Sequence, residues 1–88
     1  MAYVYITTNI LNDKKYIGVV ASNKPKNNYL GSGVILQHAI KKYGKENFTK
    51  KIIKHFNDPI EARDYEKKLI RETNAIKDKQ YYNLVEGG

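Results

Sequence analysis

Eighty-eight residues predict a single domain over 1–88 with one modest core. Sixteen Lys and Arg against nine Asp and Glu leave a net charge of +7, which suits a polyanionic partner, nucleic acid ahead of a merely solvated basic surface. The lack of cysteine excludes disulfides and thiolate-type zinc sites. With neither a secretory signal pattern nor an apolar run of membrane length, a cytoplasmic protein with no membrane partner is expected.

Residues 3–8 and 15–20 are rich in Tyr, Val, Ile and Thr, and Asn12-Asp13 between them offers turn chemistry, so the pair predicts a β-hairpin. Residues 21–31 contain Pro25 and the asparagines Asn23, Asn27 and Asn28 and read as a loop. Ser32 is placed to cap a helix running to Tyr43, with Gly44 as its stop. Leu36, Ala39, Ile40 and Tyr43 share one face of that helix, while His38, Lys41 and Lys42 make the other face basic. Phe48–Phe56 mixes aromatic and β-branched residues with lysines and predicts a third strand. Asp58, Pro59 and Glu61 form an N-cap, a first-turn proline and a capping-box carboxylate, opening a helix to Thr73. A short tail with Tyr81, Tyr82 and Asn83 ends in Glu86-Gly87-Gly88. The order β-β-α-β-α predicts an α/β (α+β) fold, a small sandwich with a three-stranded antiparallel sheet flanked by helices.

Neighbouring strands of a hairpin can place Tyr5 and Tyr16 on one sheet face, either as aromatic packing or as a pair of phenols available to chemistry. On a helical wheel Glu66 sits beside Ala62, Leu69 and Ile70, toward the apolar side. A carboxylate there needs a partner, either a neighbouring lysine or a cation: one carboxylate with waters and a substrate phosphate is a common way to hold magnesium. His38 among lysines is either a solvated histidine or a phosphate contact and proton donor. His55, near the end of the third strand, has no motif around it.

The hairpin bearing Val4-Tyr5 and Tyr16-Ile17-Gly18, the stretch from Ala39 to Phe48, the helical Glu66 and the closing Tyr82-Asn83-Leu84 together resemble the GIY-YIG nuclease superfamily, over almost the whole chain. Tyr29-Leu30-Gly31-Ser32-Gly33 looks closest to its phage and intron-type homing endonucleases. The resemblance implies metal-dependent hydrolysis of DNA phosphodiester bonds, with Mg2+ or Mn2+ as cofactor. In that reading Tyr16 acts as general base or orients the water, Tyr5 stands beside it, Glu66 holds the metal and Asn83 supports the site, although Asn83 also reads as a turn residue.

Three departures accompany the matches. Tyr3 stands where the family has its first glycine, and the family's phosphate-clamping arginine on the first helix is missing, since the only arginines are Arg63 and Arg71. Lys24 and Lys26 in the loop, with His38, Lys41 and Lys42 on the helix, are the candidate replacements, although lysine lacks the bidentate fork. Val19, Val20 and Val34 occupy positions that in such homing enzymes often carry polar or basic residues. The alternative function is therefore a catalytically degenerate member of the fold that binds nucleic acid, or binds and inhibits a host or phage protein.

Overall fold

The computed structural model describes residues 2–21, 30–31 and 33–83. Their order is β1 (Ala2–Asn9), β2 (Lys15–Val20), α1 (Val34–Tyr43), β3 (Phe48–Phe56) and α2 (Pro59–Thr73), with one 3₁₀ turn at Lys45–Asn47 before β3. The three strands form one antiparallel sheet in the order β2-β1-β3. The predicted sandwich is the observed architecture.

The hairpin turn is built from asparagine and aspartate chemistry. The Asp13 N–H donates to the Asn9 carbonyl at 2.8 Å, Asn12 Oδ1 accepts from the Lys14 N–H at 3.0 Å, and Asp13 takes the left-handed conformation at φ 62°. Short polar side chains tolerate that region, so the turn closes without glycine.

Because β1 is central and covered on both faces, it is buried along nearly its whole length. Successive side chains point to opposite faces. Tyr3, Tyr5, Tyr16 and Val20 meet Leu36, Ala39, Ile40 and Tyr43 of α1. Ala2, Val4 and Ile17 meet Ala62, Ile70 and, from beyond α2, Ala75.

Helix α1 begins one residue later than the sequence suggests. Its N-cap is Gly33, in an extended conformation and without a side-chain cap, and Ser32 lies outside the described residues. The Gly33 carbonyl accepts the Gln37 N–H at 2.9 Å, so backbone geometry alone opens the helix. Lys24 and Lys26 also lie outside the described residues. Helix α2 keeps both predicted bounds. Asp58 Oδ1 accepts the Ile60 N–H at 2.9 Å, and at the other end left-handed Asn74 lets the Ala75 N–H reach the Ile70 carbonyl at 3.0 Å, a Schellman ending.

Strand β3 carries a bulge. Tyr5 pairs with Ile52 but Val4 pairs with Lys54, so Ile53 is extra. Lys50, Ile52 and His55 consequently share the tyrosine face, and Lys51, Lys54 and Phe56 the other.

The residues expected as a tail instead close the outer edge of β2. The Lys15 N–H donates to the Gln80 carbonyl at 2.8 Å and the Tyr82 N–H to the Lys15 carbonyl at 2.7 Å, making a parallel bridge between Lys15 and Tyr81. One residue further on, Asn83 Nδ2 donates to the Ile17 carbonyl at 2.9 Å and its Oδ1 accepts the Ile17 N–H at 3.0 Å.

Candidate active site

Tyr5 and Tyr16 lie on one sheet face, as diagonal neighbours in the register that pairs Tyr5 with Gly18 and Thr7 with Tyr16. Each ring rests on glycine. A Cβ built on Gly18 would collide with the ring and hydroxyl of Tyr5. One on Gly33 would approach Tyr16 Cε1 to 2.7 Å, and one on Gly31, whose φ is +138°, would approach its Cε2 to the same 2.7 Å. The Gly18 of Tyr-Ile-Gly and the two glycines of Gly-Ser-Gly are therefore the spaces in which the two tyrosine rings sit. Tyr5 is 1% exposed and Tyr16 6% exposed, so the phenols are held by packing.

Glu66 is 2% exposed, on the α2 stripe that also carries Ala62 and Ile70. It approaches β1 and β2 from the layer opposite the tyrosines, so the structure groups Tyr5 with Tyr16 and leaves Glu66 across the sheet from them. Burial pushes its carboxyl up from an ordinary 4.5 to about 7, against the lowering pull of Arg63 and Lys67. Among the described residues no group of three or more His, Asp or Glu side chains could hold a metal ion. A cation there would thus be held by the single carboxylate with water and phosphate oxygens. That donor set fits a hard divalent ion such as Mg2+.

Asn83 is 5% exposed, and its amide is spent on the backbone of Ile17, between Tyr16 and Gly18. Its link to the tyrosine layer is through the backbone of β2. His38, Lys41 and Lys42 occupy the exposed face of α1, opposite Leu36 and Ala39, so the structure does not bring His38 into the tyrosine layer. Lys42 Nζ stands 5.3 Å from the ring centroid of Tyr43.

One cation on this face has no motif around it in the sequence. Lys50 Nζ of β3 donates to the Tyr3 hydroxyl at 2.7 Å and lies 4.8 Å and 4.9 Å from the ring centroids of Tyr3 and Tyr5. Tyr3 meets Tyr5 edge to face at 5.9 Å and tilts against His55 at 5.8 Å. The only sequence signal was the spacing of Lys50 along β3, which becomes informative once the register pairs it with Thr7.

No described helix is long and apolar enough to cross a membrane. No solved structure matches the chain. Among curated proteins, the segE protein of Enterobacteria phage T4 is 48% identical over 98% of this chain and 42% of its own length. Endonuclease segA of the same phage is 40% identical over 98% of this chain and 38% of its own length, and the segC protein 41% identical over 98% and 43%. The chain thus spans about two fifths of the length of these relatives. Nucleases of the GIY-YIG type generally depend on a divalent metal ion. Residues 1–83 match the GIY-YIG catalytic domain, with Tyr5 and Tyr16 bedded on glycine on one face and a buried glutamate on α2, and the chain belongs to that family.

Proposed function

We propose that this domain hydrolyses DNA phosphodiester bonds as the catalytic part of a phage-type endonuclease, with Mg2+ or Mn2+ as the cofactor. The observation that carries the reading is the buried carboxylate of Glu66. A helix that merely packed on the sheet would be more stable with an apolar residue between Ala62 and Ile70, because taking a carboxylate out of water is costly. A divalent cation there would hold Glu66 ionised and supply charge stabilisation for the phosphoryl oxygens.

The chain's own residues would do the rest. In this reading Tyr16, on the sheet face opposite Glu66, takes the proton of the attacking water or orients it, Tyr5 fixes the Tyr16 side of the sheet, and Asn83 holds the intervening backbone of β2 in register. Lys41 and Lys42 give the exposed face of α1 a positive charge for the flanking DNA backbone. DNA is the expected substrate because segA of phage T4 carries the name endonuclease and shares this domain. Conversion of supercoiled plasmid to open circle in Mg2+, abolished by a chelator, tests the reading.

A second reading is favoured by one observation, the absence of any arginine on α1. In it the domain retains the fold and basic surface and binds DNA, or a host or phage protein, without cleaving. Metal-independent DNA binding with no nicking would select it.

A further inference from the structure

We propose that Lys50 is a phosphate-binding residue of the tyrosine face, so that the DNA backbone runs over β3 as well as α1. The inference deepens the nuclease reading and rests on it for the identity of the ligand.

An edge strand commonly carries lysines for a defensive reason: a charge reaching into water discourages another strand from pairing there. Such a lysine extends away from the sheet. Lys50 is folded inward instead. Its ammonium is hydrogen-bonded to the Tyr3 hydroxyl at 2.7 Å and stands 4.8 Å and 4.9 Å from the ring centroids of Tyr3 and Tyr5. Its own side chain is half-buried while Thr49 and Lys51 on either side are exposed. The Tyr3 hydroxyl and the neighbouring ring of Tyr5 hold a flexible four-carbon stem in one place, which gives a point charge fixed before any ligand arrives. A fixed cation loses less freedom on meeting an anion than a free one does.

The surroundings suit a polyanion. Lys50 lies on the face that carries Tyr5 and Tyr16, diagonal to Tyr5, because Thr7 pairs with Lys50 and Tyr5 with Ile52. His55 continues the same face beyond the bulge, stacked at a tilt on Tyr3. Residues Lys51 to His55 are all exposed at the outer side of the sheet, so a rod of negative charge can approach this strand from solvent.

The test is binding of the 88-residue chain to a short DNA duplex across a range of salt concentrations, with plasmid nicking and melting temperature in parallel. Lys50→Met keeps the stem over the rings and removes the charge. It should weaken binding at low salt roughly tenfold and lower the slope of log K against log salt by about 0.9, the value for one phosphate contact. Lys50→Arg should retain the affinity. Tyr3→Phe, which loses only the hydroxyl, should fall between wild type and Lys50→Met. Lys51→Met is the control, with the same charge change one residue away on the opposite face. Wild-type slope and affinity in Lys50→Met would overturn the proposal, and so would an equal loss in Lys51→Met, which would mean that net charge alone matters. If wild type fails to nick yet Lys50→Met still loses its slope, the nuclease reading falls and the phosphate site stands. Nicking by wild type with normal binding by Lys50→Met has the opposite meaning.

Discussion

The side-chain amide of Asn83 takes both backbone polar groups of Ile17, accepting its N–H at 3.0 Å and donating to its carbonyl at 2.9 Å. An amide side chain thereby does for the outer edge of β2 what a fourth strand would do. Ile17 lies between Tyr16 and Gly18, so the pairing fixes the strand segment on which both tyrosine rings depend. Asn83→Ala removes two hydrogen bonds and strands the partners, an expected loss of roughly 1–3 kcal/mol. Thermal melting should show it as a clear drop in Tm, and hydrogen exchange at the Ile17 amide should accelerate beyond the global change.

A methyl group at residue 18 has nowhere to go, because Tyr5 fills the space. Gly18→Ala should cost about 1–3 kcal/mol through overpacking. Trimming the partner relieves the collision. In a Tyr5→Leu background the same substitution should cost less, by at least about 0.5 kcal/mol, and a double-mutant cycle read by denaturant unfolding measures this.

Burial raises the Glu66 carboxyl from 4.5 to about 7. An acid whose folded value is raised binds more protons folded than unfolded, so its contribution to stability is complete below pH 4.5 and is lost as pH rises to about 7. Full expression of that shift corresponds to about 3 kcal/mol. Wild type should therefore lose stability across this interval while Glu66→Gln does not, and at pH 8 the variant should be the more stable of the two in the absence of divalent metal. A cation on the carboxylate reverses the sign. At pH 8, Mg2+ or Mn2+ should raise the Tm of wild type and leave that of Glu66→Gln unchanged.

The exposed face of α1 carries Lys41 and Lys42. Replacing both with alanine should lower the slope of log K against log salt by at most about 1.8, the value for two phosphate contacts. A fluorescence-anisotropy salt titration measures it, and helix content by circular dichroism should stay unchanged, since both residues sit outside the packed face.

Much of the fold was legible because local chemistry and hydrophobic period agreed. Asp58, Pro59 and the Ala62–Glu66–Ile70 stripe specified α2, and the Tyr, Val and Ile runs specified the hairpin. Glu66 stood out for the same reason, as a charge on an apolar stripe. Contacts that depend on the third dimension were not legible. The role of Asn83 requires that residues 80–83 return beside Lys15, a partner nearly seventy positions earlier, and Tyr-Tyr-Asn alone reads equally as a turn. Lys50 was hidden because its place beside Tyr3 and Tyr5 follows from the register of β3 on β1, which no local pattern within β3 gives. The start of α1 was misread because Gly33 caps by backbone conformation, without the side-chain oxygen that makes a cap visible in sequence.

The role assigned to Glu66 is tested most directly by nicking of supercoiled plasmid by wild type and Glu66→Gln, in Mg2+, in Mn2+ and in chelator. The substitution keeps the shape and removes the charge that would bind the cation. Metal-dependent nicking by wild type, reduced about a hundredfold or more in a variant that still melts cooperatively, is the predicted result. Nicking at equal rates by the two proteins, or none by wild type with either metal, would contradict it.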